Sequence, residues 1–233
     1  MQKLVAAHLH RNWTSIPHVT HHEEADITDL EAHRARLANA GQRITPLAYI
    51  VKASVAALRT LPQFNASLDE SGSALVFKKY FHIGVAVDSP RGLLVPVIRG
   101  ADTKDIAQIA TEIAEVSQAA RTRGLPYDRM TGGCFTISSL GGIGGTGFTP
   151  IINAPEVAVL GVTRTVRRPR EAEAGIAWRT MLPLSLSYDH RVINGADAAR
   201  FCNQIAAALS KPELLSGLPG VRCVGRGAAR FPW

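Results

Sequence analysis

The amino-acid sequence predicts a single α/β domain in which helices cover a mixed β-sheet. Three observations support this class. Helix start signals precede four segments with apolar faces, short apolar runs typical of strands lie between them, and the two kinds of segment alternate irregularly. No internal repeat or interior linker divides the chain. Its 233 residues, 46% of them hydrophobic and 19% charged, are enough to bury a sizeable core.

Four helices are predicted, each from a start signal. A Thr-Asp-Leu-Glu capping box predicts a helix over 28–39, and a threonine followed by a first-turn proline predicts a second helix over 45–61. Thr103 is predicted to cap a third helix with one apolar face, and a fourth begins after Gly195.

Six strands are predicted from short apolar or alternating runs. They cover 18–26, 81–87, 93–98, 134–139, 157–163 and 180–188. The first carries many polar residues, so we expect it at an edge of the sheet.

The net charge of +7 includes a cluster of arginines between the strand at 157–163 and the strand at 180–188. Its members are Arg164, Arg167, Arg168 and Arg170. No aromatic residues interleave them and no DNA- or RNA-binding motif is present, so nucleic-acid binding is not predicted. Glutamates follow directly, which favours a solvated hairpin loop. A positive field would also attract a polyanionic small molecule such as coenzyme A.

Localisation and redox state are predicted from what the sequence contains. No apolar run is long enough to span a membrane, and the first residues lack the apolar region of a signal peptide, so we expect a cytoplasmic protein without a membrane partner. Cys134, Cys202 and Cys223 show no metal-ligand spacing, so we predict reduced thiols and no metal site.

A histidine follows the last predicted strand, within the segment Ser-Tyr-Asp-His-Arg-Val-Ile-Asn-Gly. A side chain at a strand end is held rigidly, and the near-neutral pKa typical of histidine suits His190 to move protons. We expect Gly195 to allow a tight turn that brings Asn194 back towards the imidazole. Asp189 should point to the opposite face of the strand, so no triad is predicted from it.

The glycine-rich stretch 142–147 matches the dinucleotide-binding pattern and follows a predicted strand. That pattern needs a helix immediately afterwards to hold a pyrophosphate, and Pro150 and Pro155 interrupt the following segment. Nucleotide binding through this loop is therefore not predicted. The strand before it ends in Ser138 and Ser139. A hydroxyl there would donate a hydrogen bond to an oxyanion, although serines at such places often only bond to nearby backbone.

Taken together, the His190 and Ser138 segments resemble the catalytic core of the dihydrolipoamide acyltransferases. Further matching stretches lie at 12–20, 82–88, 92–98, 149–156 and 160–162. They occur in the right order over roughly the first nine-tenths of the chain, which makes the match specific. Stretches 148–160 and 182–201 are most similar to acetyl-transferring members of pyruvate dehydrogenase complexes, and less similar to succinyl- and branched-chain-transferring ones.

The resemblance implies a chloramphenicol acetyltransferase-like two-layer sandwich, a homotrimer, and active sites at the subunit interfaces. His190 of one subunit would be the general base that takes the coenzyme A thiol proton. Ser138 of its neighbour would stabilise the tetrahedral oxyanion. Coenzyme A and the lipoyl arm would enter from opposite ends of a channel.

Three further positions follow from the same resemblance. Asn194 is predicted to assist His190, although most of the family has aspartate there. Arg34 and Asp88 match positions that form an ion pair near the active site in the family, although two solvent-exposed charges remain an equal alternative.

The resemblance also predicts the organisation of the chain. Residues 1–215 would be the acyltransferase catalytic domain, and 216–233 a glycine- and arginine-rich tail unlike the apolar segment that docks trimers into a larger core. The family's lipoyl and peripheral-subunit-binding domains are not in this sequence. No bound cofactor is expected, because coenzyme A is a substrate and a lipoyl domain supplies the lipoyl group. The expected partners are that domain and the pyruvate dehydrogenase and dihydrolipoamide dehydrogenase components.

Three functions therefore compete on the sequence. The first is lipoyl-dependent acetyl transfer, with succinyl or branched-chain acyl transfer as variants. The second is O-acetylation of a small hydroxylated molecule, which shares only the histidine motif. The third is a catalytically silent scaffold, which would be expected to lack His190 or Ser138. Both residues are present, so acetyl transfer is favoured.

Overall fold

The computed structural model describes residues 2–90, 92–173 and 175–216, and the predicted tail lies almost entirely outside them. The helices are α1 (Gln2–Ser15), α2 (Thr28–Asn39), α3 (Pro46–Thr60), α4 (Ile106–Thr122), α5 (Gly195–Leu209) and α6 (Pro212–Ser216). The strands are β1 (His18–Asp26), β2 (Ala66–Leu68), β3 (Leu75–Phe77), β4 (Ile83–Ser89), β5 (Gly92–Leu94), β6 (Val97–Ile98), β7 (Phe135–Ser139), β8 (Ala158–Val162), β9 (Val166–Ala172) and β10 (Gly175–Asp189).

Most strands form one mixed sheet in the order β1-β10-β8-β7-β4-β5, with β6 also on β4 and β9 also on β10. Strands β4, β7 and β8 are parallel, and the remaining pairs are antiparallel. Strand β1 lies at the edge, as its polar composition predicts. Strands β2 and β3 form a separate hairpin. The predicted α/β class with a mixed sheet is confirmed.

Helices α2 to α6 cover one face of the sheet. Between the two layers lies a continuous apolar core, in which the rings of Phe64 and Phe201 stack with centroids 4.1 Å apart and Phe135 packs beside them. In the described part of the chain, no helix combines the length and the apolar character that a membrane span requires.

The segment from Thr146 to Glu156 and helix α1 pack on the other face. A small apolar cluster of Ile16, Ile152 and Val159 joins them to the sheet. Asn12 on α1 donates a hydrogen bond to the Ile152 carbonyl at 2.9 Å. This layer shapes the surface around the end of β7.

All four predicted helices form, but two of the predicted caps are wrong. Thr28 is the first residue of α2, and its hydroxyl bonds to Asp26 Oδ1 at 2.6 Å instead of to the helix. Helix α4 begins at Ile106, and Asp105 caps it in a reciprocal capping box with Gln108. Each threonine hydroxyl bonds instead to a residue just before it in the chain, Asp26 for Thr28 and Gly100 for Thr103, so one local bond replaces the cap that the sequence pattern predicts.

The strand predictions differ from the structure in three places. The run 93–98 is two short strands, β5 and β6, because Pro96 has no N–H for a ladder bond and offers only its carbonyl to Val85. Three of the four clustered arginines, Arg167, Arg168 and Arg170, lie on strand β9 of the hairpin and not in its loop. Helix α1 and the β2–β3 hairpin were not predicted.

Candidate active site

His190 follows the last residue of β10, whose residues from Met181 to Asp189 are all buried. Its backbone N–H donates to the Pro17 carbonyl at 3.1 Å, which ties it to the start of β1. The imidazole is exposed, and its ring centroid lies 5.9 Å from that of buried Tyr188. The strand end therefore fixes the backbone of His190 by a hydrogen bond and leaves its side chain accessible.

Asn194 makes no hydrogen bond to the His190 imidazole within the described residues. It caps helix α5: its Oδ1 accepts the Asp197 N–H at 2.9 Å, and its Nδ2 donates to Asp197 Oδ2 at 3.0 Å. Gly195 is the first helical residue and has no left-handed backbone. Asparagine is strongly preferred at the N-cap of a helix. Here both polar atoms of its side-chain amide bond to Asp197 in the first turn.

Ser138 lies near the carboxyl end of β7, between Ala86 on β4 and Gly161 on β8. It is half-buried, and its hydroxyl has no hydrogen-bond partner among the described residues. The tip of the Phe148 ring packs against Gly161, where a Cβ atom would lie 2.6 Å from Phe148 Cζ. The Ser138 hydroxyl is therefore unpaired within the described residues, and the strand position next to it is covered by the Phe148 ring.

The glycine-rich loop forms a turn and is not followed by a helix. The amides of Ile143 and Gly144 donate to the Leu140 carbonyl, and Arg164 donates to the Ile143 carbonyl at 2.9 Å. The next helix along the chain is α5. The prediction that this loop lacks the helix required for dinucleotide binding is confirmed.

His190 and Ser138 lie at opposite ends of the sheet within one chain. The Asp189 N–H donates to the Val157 carbonyl, whereas Ser138 is level with Gly161, four residues further along. At about 3.3 Å per residue, this separates the two levels by about 13 Å along the strands alone. One chain therefore cannot bring the imidazole and the hydroxyl onto the same reacting group.

The predicted ion pair of Arg34 and Asp88 does not form within the chain. Arg34 Nη1 pairs with Glu31 Oε2 at 2.6 Å, one helical turn away, and Arg34 Nε donates to the Ile44 carbonyl at 2.7 Å. Asp88 lies exposed on β4. Glu31 lies three residues before Arg34 on the same face of α2, where ion pairs form readily. Arg34 therefore pairs with Glu31 within the chain.

A buried carboxyl that the sequence did not indicate lies before β8. Glu156 is 5% exposed, and burial raises its pKa from 4.5 to about 7. It lines a cavity of about 860 Å³ at the edge where β4, β7 and β8 begin, together with Lys78 and Gly133. Only the packed structure reveals its burial, because glutamate side chains are ordinarily exposed.

The sequence profile of the 2-oxoacid dehydrogenases acyltransferase (catalytic domain) family matches residues 1–216. The chain belongs to this family. It is 56% identical over 205 residues to the dihydrolipoyllysine-residue acetyltransferase component of the pyruvate dehydrogenase complex of Cupriavidus necator. The match covers 86% of this chain and 37% of that relative, so the chain spans about a third of that relative's length.

Solved structures of acyltransferase cores share the fold. The Azotobacter vinelandii dihydrolipoamide acetyltransferase gives a TM-score of 0.87 at 52% identity, with 91% of this chain and 89% of that chain covered. The cubic core of the pyruvate dehydrogenase multienzyme complex gives 0.87 at 53% identity, with 92% and 90% covered. Chloramphenicol acetyltransferase gives 0.59 at 17% identity, with 86% and 94% covered, which confirms the predicted relation in fold.

Proposed function

We propose that this chain is the catalytic domain of an enzyme that transfers an acetyl group between a dihydrolipoyl arm and coenzyme A, and that it works as a trimer with active sites between subunits. The observation that carries the proposal is the placement of His190 and Ser138 at opposite ends of one sheet. In a cyclic trimer, one end of each chain faces the other end of the next, so each interface would pair His190 of one subunit with Ser138 of its neighbour.

His190 would act as the general base. A thiol is only a few per cent ionised at neutral pH, so a neutral imidazole beside it is needed to generate the thiolate. The coenzyme A thiolate then attacks the acetyl thioester carbon and a tetrahedral oxyanion forms. As this collapses, the C–S bond to the lipoyl arm breaks and the imidazolium returns its proton to the departing sulfur. The exposed ring on a fixed backbone suits this exchange.

Ser138 would donate a hydrogen bond to the oxyanion. Its hydroxyl has no competing partner in the described part of the chain, so it is available to a charge that forms only during the reaction. One such donor lowers the barrier by about 2.7–4 kcal/mol.

The study of the Azotobacter vinelandii enzyme supports these assignments. It concerns the roles of a serine, a histidine and an asparagine in catalysis, in which the serine precedes the histidine by 52 positions and the asparagine follows it by 4. Ser138, His190 and Asn194 have the same spacing. For Asn194, whose amide caps α5, the supporting role would be to fix the helix start beside His190.

The wider assembly is also proposed. A lipoyl domain would deliver the acetyl group, and pyruvate dehydrogenase and dihydrolipoamide dehydrogenase components would load and reoxidise the lipoyl group, in the cytoplasm. The solved cubic core of a relative supports assembly of the trimers into a larger core. We retain an Arg34–Asp88 pair as a proposal only between neighbouring subunits, since Arg34 pairs with Glu31 within its own chain.

The test is the rate of acetyl transfer between acetyl-coenzyme A and free dihydrolipoamide. His190→Ala should abolish turnover, and Ser138→Ala should slow it by about a hundredfold or more with little change in KM. A folded parent without this activity would refute the proposal, and succinyl, branched-chain and hydroxylated substrates would then be tried. A near-normal Ser138→Ala variant would remove Ser138 from the mechanism.

A mixing experiment tests the shared site. Chains carrying His190→Ala and chains carrying Ser138→Ala are co-expressed in equal amounts. If each site combines two subunits at random, about a quarter of the sites regain both intact residues and activity returns to about that fraction of the parent. Activity no higher than that of the single variants would show that one chain supplies both residues.

A further inference from the structure

Asp189, the residue before His190, carries a carboxylate that is almost completely withdrawn from water. Its side chain is 3% exposed. Its backbone N–H donates a hydrogen bond to the carbonyl of Val157, the residue before β8. A buried carboxylate is tolerated when charged partners and hydrogen bonds compensate its lost hydration. The residues that compensate it here are therefore held in place strongly.

All of the hydrogen bonds to this carboxylate within the described residues come from Arg191. Nε donates to Oδ1 at 2.9 Å and Nη2 donates to Oδ2 at 2.6 Å, which is a two-pronged guanidinium–carboxylate pair. The Arg191 backbone N–H donates to the same Oδ1 at 3.0 Å. Planar pairs of this kind fix direction as well as distance.

The backbone of Asp189 closes the same turn. Its carbonyl accepts the amides of Val192 and Ile193, both at 3.0 Å. His190 and Arg191 are thus the inner residues of a turn that Asp189 closes twice, once through its carbonyl and once through its carboxylate. The bond from Oδ1 to the Arg191 amide holds the peptide unit that immediately follows the His190 Cα atom.

We propose that Asp189 and Arg191 form a lock that positions His190, an inference that rests on the proposed role of His190 as the base. Asp189 is a positioning residue and not the third member of a triad, since its carboxylate is bonded to Arg191 and not to the imidazole. Loosening the lock lets the imidazole drift from the reacting thiol. A misplacement of about 1 Å lowers the rate by up to about a hundredfold.

The lock predicts a graded series in the acetyl-transfer assay. Arg191→Gln removes the two-pronged pair and leaves the carboxylate buried without a charge partner, so kcat should fall by about 10- to 100-fold while KM stays within about twofold. Asp189→Asn keeps an oxygen that can accept the Arg191 backbone N–H, so its kcat should fall less than that of Arg191→Gln. Arg191→Lys keeps the positive charge but cannot make the two-pronged guanidinium pair. Its kcat should therefore lie between that of Arg191→Gln and that of the parent.

Glu112→Gln is the matched control. Glu112 on α4 forms another partly buried ion pair, with Lys104. Neither residue belongs to the turn that contains His190. We expect it to lower the melting temperature slightly and to leave kcat unchanged. Melting curves and trimer content are measured for every variant, and only variants that remain folded trimers at the assay temperature are compared.

The outcomes separate the two proposals. If the parent transfers acetyl groups and His190→Ala does not, the proposed function stands. In that case, folded Arg191→Gln and Asp189→Asn variants with parental kcat would overturn the lock. If neither of these folds, Arg191→Lys decides: a parental kcat overturns the lock, and a reduced kcat at unchanged KM supports it. A parent with no acetyl transfer refutes the proposed function instead.

Discussion

Ser138 is defined as much by its neighbours as by its own hydroxyl. Gly161, its partner on β8, has no side chain, and the Phe148 ring occupies the space where a Cβ atom would lie. The ring thus reaches the sheet surface beside the hydroxyl. The sequence indicates neither the need for glycine at this strand position nor the ring that requires it.

Gly161→Ala should displace the Phe148 ring. The new Cβ atom would lie 2.6 Å from Phe148 Cζ, closer than packed atoms allow, so we expect a destabilisation of about 1–3 kcal/mol together with a loss of turnover. Chemical denaturation measures the first effect and the acetyl-transfer rate the second. Adding Phe148→Ala should recover much of the destabilisation, as a double-mutant cycle would show.

Gly141→Ala is the control for this prediction. A Cβ atom there would meet its nearest neighbour, the Thr163 carbonyl oxygen, at 3.5 Å, which is an ordinary contact. Its stability should change by less than about 0.5 kcal/mol. Equal losses in the two glycine variants would mean that the ring contact is not the cause.

At the level of secondary structure, the start of α4 shows two local capping arrangements in competition. The sequence suggested that Thr103 would cap the third helix, yet Asp105 does so. The Asp105 carboxylate accepts the Gln108 N–H at 2.7 Å, and the Gln108 side chain accepts the Asp105 N–H at 2.9 Å. The Thr103 hydroxyl donates instead to the Gly100 carbonyl. The chain before Asp105 is therefore a turn and not the first turn of a helix.

Asp105→Ala should consequently destabilise the protein by about 1 kcal/mol, the usual loss for an aspartate N-cap. Thr103→Ala removes only an exposed side-chain bond and should cost less than about 0.5 kcal/mol. Urea unfolding of both variants under one condition makes the comparison. The reverse order would restore Thr103 as the cap.

For the molecule as a whole, the buried Glu156 connects folding to pH. Its pKa in the folded state, about 7, is above its ordinary value of 4.5 because burial disfavours the charged form. The folded state therefore favours the protonated form of the Glu156 carboxyl. The stability that Glu156 contributes is fully present below pH 4.5 and is lost as the pH rises through about 7.

Glu156→Gln, which keeps a neutral side chain of the same shape, should remove this dependence. The free energy of unfolding of the variant relative to the parent should rise between pH 5 and pH 8 by an amount on the order of 3 kcal/mol. Denaturant unfolding at matched protein concentration measures it, with Glu115→Gln on exposed α4 surface as the control. A pH-independent difference would mean that Glu156 is not the titrating group.

The secondary structure followed largely from the sequence because it depends on local periodicity. The four predicted helices are present, five of the six predicted strands form as single strands, and β1 lies at an edge. The missed elements include α1, the β2–β3 hairpin and β9, which have weak patterns of their own. Short strands are stabilised mainly by the elements they pack against.

The sequence by itself determined the family, the strand end that carries His190 and the strand end that carries Ser138, because these features depend on residue type and spacing along the chain. The tertiary structure alone decided how they are arranged. It placed the two residues at opposite ends of a sheet, turned Asn194 into the cap of α5, paired Arg34 with Glu31, and buried Glu156. Each of these outcomes depends on which distant segments become neighbours, and hydrogen bonds and burial are decided only when the chain has packed.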